Sequence, residues 1–209
     1  MSNIRVDNIR GHNSINQITL NSSGRPTIQN LQVNLICRNG ADSSLPLITL
    51  SSYNDVHLYT SNENNSLIYL RTSLVSNSLY ELWIISAPGS SNVDPGFYPN
   101  GSSYSGEFTQ SYRATNDANN AFDRRLETLE RFWFDHQGGG SGNVLMEHVI
   151  CSTGPTNKYM QFEGADNGPS LSTGYGRWTN DSRTWDWFGY INFAPHSSSF
   201  KRAAIRRIG

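Results

Sequence analysis

Lysine is nearly missing from this chain: among its 16 basic residues only Lys158 and Lys201 are lysine, and 17 acidic residues leave a net charge of −1. Without a cationic excess there is no phosphate-tracking surface, so nucleic acid is not an expected partner. Cysteine is just as scarce. Cys37 and Cys151 are too few for the disulfide framework of a small secreted fold. Both sit in apolar, strand-like runs that suit free buried thiols, with a single Cys37–Cys151 bridge left open. No apolar run approaches membrane-spanning length, and no charged segment followed by an apolar core opens the chain. The expectation is a product made in the cytoplasm with no membrane insertion. The histidines, His12, His57, His136, His148 and His196, form no H-x-x-x-H pair, and there is no C-x-x-C, so no metal site is expected. A G-x-S-x-G elbow is also lacking, which leaves an esterase nucleophile without local support. The glycine run Gly138–Gly142 lacks the Lys and Ser/Thr that end a phosphate-cradling loop, so it reads as a flexible turn and no cofactor is expected.

The residues present are those of short strands and polar turns. The apolar fraction is only 36%, while aromatics reach 11%, and Asn, Ser, Gly and Thr fill much of the remainder. In residues 1–40, Ile4, Val6 and Ile9, then Ile18 and Leu20, then Leu31, Val33 and Leu35 form alternating pieces broken at Gly11–Asn13 and Ser22–Pro26. With few aromatics to make a core of their own, they read as an extended anchoring or oligomerisation arm. From residue 41 to 209 strands follow at short intervals. Val56–Thr60 and Leu67–Thr72 flank the Asn-rich turn Asn62–Asn65 as a hairpin would, and Leu79–Ser86 suits a strand buried on both faces. Gly138–Gly142 reads as the loop of a second hairpin, between Leu129–Asp135 and Val144–Ser152. Ala118, Phe122, Leu126, Leu129 and Trp133 recur at helical spacing, which permits one short helix near 117–130. The expected fold class is all-β: a jelly-roll-like antiparallel β-sandwich of roughly eight strands over 41–209, preceded by the extended arm.

Near the end of the chain, Trp185, Trp187, Ile191 and Phe193 fall on one face of an extended strand, and Asp186, Phe188, Tyr190 and Asn192 on the other. The first face reads as core. Glycoside hydrolysis needs two facing carboxylates, and Asp181 and Asp186 beside the tryptophans are the nearest approach to such a pair. Asp181 sits in a turn where Asp ordinarily caps backbone amides, so no catalytic residue is assigned. Asp166–Asn167, in a glycine-flanked turn, lacks the acidic spacing of a calcium loop. Tyr98, Tyr104, Tyr175 and Trp178 occupy Gly- and Pro-broken segments and are the candidate contacts for a glycan or partner. Lys201, Arg202, Arg206 and Arg207 read as the solvent face of a last strand.

The opening SNIRVDNIRGHNSINQITLNSSGRPTIQNL resembles the N-termini of tailed-bacteriophage virion accessory proteins. The resembling elements are Ile4, Val6, Asp7 and Ile9, then Ile18–Leu20 with Ser23–Gly24. Further matches are Ser78, Tyr80, Trp83 and Ile85; Asn100, Gly101 and Tyr104; and a close at Gly176, Trp178, Ile191, Phe193 and Phe200. The chain departs from the pattern at Ala204–Ile208, where such proteins often end in a different short strand. The resemblance implies a virion structural protein without enzymatic activity, a homotrimer bound to other tail or capsid proteins. Two placements follow from it: a tail-fibre or host-recognition component that contacts a host cell-surface glycan, or a capsid decoration protein that clamps capsid subunits. The residues alone leave a third reading open, a free carbohydrate-binding module or glycan-degrading enzyme.

Overall fold

Apolar residues recur at every second position through most of the chain, and there the backbone is strand. The structure is a computed structural model that describes residues 17–18, 28–29, 34–62, 66–88, 95–115, 121–134, 145–154, 156, 158–165, 171–193 and 198–209. The chain divides into two compact units, Met1–Asn34 and Leu35–Gly209. In the first, β1 (Gln17–Ile18) pairs antiparallel with β2 (Ile28–Gln29), with Ile18 opposite Ile28 across the Ser22–Pro26 break. The expected arm residues Ile4, Val6, Ile9, Leu20, Leu31 and Val33 lie outside the described residues.

The strands that follow are β3 (Asn34–Asn39), β4 (Ile48–Thr49), β5 (Asp55–Ser61), β6 (Leu67–Ser73), β7 (Leu79–Pro88), β8 (Gly96–Tyr98) and β9 (Phe108–Thr115). Then come β10 (Ala121–Leu129), β11 (Phe132–Trp133), β12 (Leu145–Thr153), β13 (Lys158–Ala165), β14 (Leu171–Trp178), β15 (Trp187–Asn192) and β16 (Ser198–Arg207). They form an all-β sandwich. One sheet has nine strands in the order β10-β9-β14-β13-β12-β7-β16-β5-β3, the other five in the order β11-β8-β15-β6-β4. Both sheets are mixed: most neighbouring strands run antiparallel, while β4 pairs with β6 in parallel. Leu82, Ile84, Val149, Cys151, Met160, Phe162, Ala203 and Ile205 point inward from the large sheet. Ile68, Leu70, Phe97, Phe132, Phe188 and Ile191 meet them from the small one. Edge-to-face pairs such as Tyr80–Phe188, at 5.5 Å between centroids, close the gap.

Several expectations are corrected here. The segment near 117–130 is not helical: residues 121–129 are β10, paired antiparallel with β9 from Ala121↔Thr115 to Leu129↔Phe108. The free edge of β9 supplies a full ladder of hydrogen-bond partners, whereas a short helix must first overcome its nucleation cost. The helical phase was produced by a bulge between Leu126 and Leu129, where Thr128 has φ of +57°. β5 and β6 do not form a hairpin; they are successive strands of opposite sheets, and His57 and Tyr59 reach across the core to share hydrogen bonds with the Thr72 hydroxyl. The segment after Leu129 likewise crosses between sheets, since β11 pairs with β8 while β12 pairs with β7 and β13. Both cysteines are free; Cys151 is buried as expected, but Cys37 is exposed on β3. Lys201 is buried with Ala203 and Ile205 on the inward face of β16, leaving Arg202 and Arg206 on the outward one. Leu35, expected in the arm, lies on β3 at the edge of the large sheet and is 56% exposed.

The terminal stretch also changes phase. A bulge between Trp187 and Gly189 lets Phe188 join Ile191 and Phe193 in the core and leaves Trp187 half-buried at the surface. Gly189 makes this possible. Its φ is +103°, and a Cβ there would lie 1.8 Å from the Tyr98 carbonyl oxygen. Asn100, itself at φ +55°, holds the same corner: its side-chain oxygen accepts from the Asp186 and Trp187 amides, and its side-chain nitrogen donates to the Thr184 carbonyl.

Candidate functional site

Three of the four aromatic residues singled out in the sequence belong to the interior or its margin for a clear reason. Trp178 is fully buried; its indole N–H donates to Glu107 at 2.8 Å, and its ring stacks on Tyr104 and Phe108. Tyr104 is half-buried over that ring, with the Arg183 guanidinium 4.6 Å away on its other contact. Tyr98 keeps only 8% exposure, stacked on Tyr190 at 4.6 Å with Arg131 above it. Tyr175 is different: 65% of it is open to solvent. Asp181 faces Arg177 at 3.7 Å in an exposed turn, and Asp186 is exposed nearby; neither lines a groove of the large sheet.

Glu107 shows how the loop between β14 and β15 is fixed. Burial would raise its carboxyl, but donors from Trp178, Asn180 and Arg183 outweigh that and hold it below its usual value. Lys158, buried beneath the same loop, donates to the Asn180 and Arg183 carbonyls. These groups are fully used in positioning the loop.

The surface with unspent capacity is the outer face of the nine-stranded sheet. On β7, β12, β13 and β14 the alternation that buries Leu82, Val149, Phe162 and Gly176 turns Trp83, Met146, His148, Tyr159, Leu171 and Tyr175 outward. Register then sets them in rows. Ala204, Trp83, His148, Glu163, Thr173 and Arg113 run side by side across β16, β7, β12, β13, β14 and β9. The next row toward one end carries Arg206, Glu81, Ile150, Gln161, Tyr175 and Ser111 across the same strands. Exposure of Trp83 is 46%, of Met146 49% and of Leu171 59%.

Trp83 and His148 form the centre of this face. Their rings stack at 4.0 Å with planes 19° apart. The His148 Nε2–H donates to Glu81 at 2.9 Å, and Arg206 clasps the other oxygen of the same carboxylate. Burial alone would raise the Glu81 carboxyl; the bonds from Arg206 and His148 hold it below its usual value. Glu81 thus stays ionised and fixes the imidazole, which in turn fixes the indole. A small residue, Ala204, lies on the other side of Trp83. The ring pair therefore stands as a ridge between two grooves. One, of about 500 Å³, is lined by Trp83, Met146, His148, Glu163, Leu171 and Arg113. The other is lined by Trp83, Ala204, Glu81 and Arg206. A further groove lies between Tyr175 and Ser111 of the second row and Tyr159, Arg177 and Thr109 of the row beyond it.

Flat apolar rings beside planar polar groups suit a ligand with flat C–H faces and a rim of hydroxyls, which describes a sugar ring. No cluster of three metal-ligating side chains occurs among the described residues. Sequence reasoning missed Trp83, Met146, His148 and Tyr159 because Leu79–Ser86 looked buried on both faces. Neither any protein-family model nor any curated protein matches the chain.

Proposed function

We propose that the chain is a structural protein of a bacteriophage virion: a tail-fibre or host-recognition component that reads a cell-surface glycan on the outer face of its nine-stranded sheet. The resemblance in the N-terminal segment supports the virion setting, with the arm expected over residues 1–40, whose compact part is Met1–Asn34, as the anchor to other virion proteins and to sister copies. The observation that carries the recognition role is the exposed Trp83–His148 platform, ordered from beneath by Glu81 and Arg206. A platform fixed before the ligand arrives loses little freedom on binding.

Binding of the purified chain to a panel of bacterial surface polysaccharides tests this. Trp83→Ala is expected to weaken binding by at least about tenfold, since an aromatic contact of this size contributes about 1.5 kcal/mol or more. No binding by the parent chain to any host polysaccharide, together with labelling that puts the protein on the capsid shell, would favour the clamp over the fibre. A second reading has one observation behind it: Glu147 and Glu163 both line the 500 Å³ groove, a pair that could serve hydrolysis. Turnover of a bound polysaccharide that is lost in Glu163→Gln would make the protein an enzyme.

A further inference from the structure

The groove between Tyr159 and Tyr175 differs from the two beside Trp83 in what lines it: Thr109, Gln110, Ser111, the two tyrosines and Arg177, with no carboxylate among them. Tyr159 pairs across the strands with Arg177, and Gln161 with Tyr175, so the two rings sit on a diagonal with the guanidinium beside one of them. Arg177 lies 5.8 Å from the Tyr159 ring. Its Nε–H is closed off from solvent and has no acceptor among the described residues. Among the described residues Asp181 faces it, 3.7 Å from Nη2, in a pair about half exposed on both sides. Such a pair contributes little and yields readily to a better acceptor.

We infer that this groove takes the acidic group of a charged sugar, and hence that the ligand of the face is an acidic polysaccharide. The inference rests on the glycan reading of the same face. A guanidinium presents a planar fork that matches a carboxylate or sulfate, with two parallel N–H donors, and the terminal nitrogens of Arg177, on a side chain 41% exposed, offer that fork to the groove. The tyrosines wall the groove at 41% and 65% exposure and offer ring faces to the pyranose that carries the acid. The Thr109 and Ser111 hydroxyls supply groups that can donate or accept toward its neighbouring hydroxyls. A neutral sugar offers that fork no carboxylate to take. Single-stranded nucleic acid could use the same rings, but Glu81 and Glu163 interrupt any cationic track along the face.

The test uses the full chain in calorimetry against polygalacturonate, alginate and hyaluronan, each beside its carboxyl-reduced neutral form, with dextran sulfate and an oligo-dT strand as further ligands. At least one uronate should bind about tenfold or more tightly than its reduced form, the range of a charge-assisted hydrogen bond. Arg177→Gln should erase that difference, lowering the affinity for the uronate to that of its reduced form. Binding of dextran sulfate alone would support the acidic site and identify sulfate as its group. Equal affinity for acidic and reduced forms would overturn the inference and leave the glycan reading standing. Binding to no saccharide would overturn both. Tighter binding of oligo-dT than of any saccharide would replace the ligand class.

Discussion

The two outer faces of the sandwich carry similar residue types and use them in opposite ways. On the five-stranded sheet, Arg131 lies 3.8 Å from the Trp133 ring and 5.1 Å from Tyr98, Tyr98 stacks on Tyr190, and Tyr190 meets Tyr69 edge-on. Trp187 likewise carries Arg71 at 4.7 Å. Each ring there has a partner from its own chain, and Tyr98 is almost closed to water. On the nine-stranded sheet, Trp83, Tyr159 and Tyr175 keep between 41% and 65% exposure. Aromatic content alone therefore says little about recognition; what counts is whether neighbouring side chains have already covered the rings.

The bulge at Gly189 sets the small sheet's phase, so breaking it should produce the largest effect. Gly189→Ala requires both a disfavoured φ and a gross clash with the Tyr98 carbonyl, and is expected to destabilise by more than about 4 kcal/mol. Calorimetric melting would show it as loss of the cooperative transition or a large fall in Tm. A matched pair of truncations compares the faces directly. Tyr98→Ala removes a buried stack and should cost about 3 kcal/mol of stability with little change in ligand affinity. Trp83→Ala should cost below about 1 kcal/mol and reduce affinity instead. Chemical denaturation and a binding titration on both variants separate the two outcomes.

A smaller effect distinguishes the seam between the sheets from either surface. Burial, with the Arg38 charge second, lowers His57 from 6.5 to about 4. In the unfolded chain this imidazole takes up a proton near pH 6.5, while in the folded chain it stays neutral until about pH 4. Between these values the unfolded state binds more protons, so stability must fall as pH drops through that window. Glu81 and Glu107, both held below their ordinary values, extend the loss to lower pH as they are protonated. His57→Gln should flatten the decline in Tm between pH 6.5 and 4 and leave the acid limb below it.

Period-two patterning revealed the fold class because a half-buried strand imposes it on every second residue. It could not assign partners. Val56–Thr60 and Leu67–Thr72 look the same whether they pair with each other or face each other across the core, and here they face across it. It was also defeated wherever a bulge reset the count, at Leu126–Leu129 and at Trp187–Gly189. The proposed binding face was harder still. Tyr175 was visible as an aromatic in a glycine-broken segment, but Trp83 and His148 become a pair only through the register of β7 with β12. No local pattern in either strand contains that information.

The central claim, that ligand recognition belongs to the open face and not to the self-stacked one, is tested most directly by following the indole N–H signals during a polysaccharide titration. Of the five tryptophans, Trp83 alone lies on the outer face of the nine-stranded sheet, Trp133 and Trp187 lie on the other, and Trp178 and Trp185 are buried. The account predicts that the Trp83 resonance shifts with saturation while those of Trp133 and Trp187 hold still. A shift at Trp133 or Trp187 with Trp83 unmoved would contradict it.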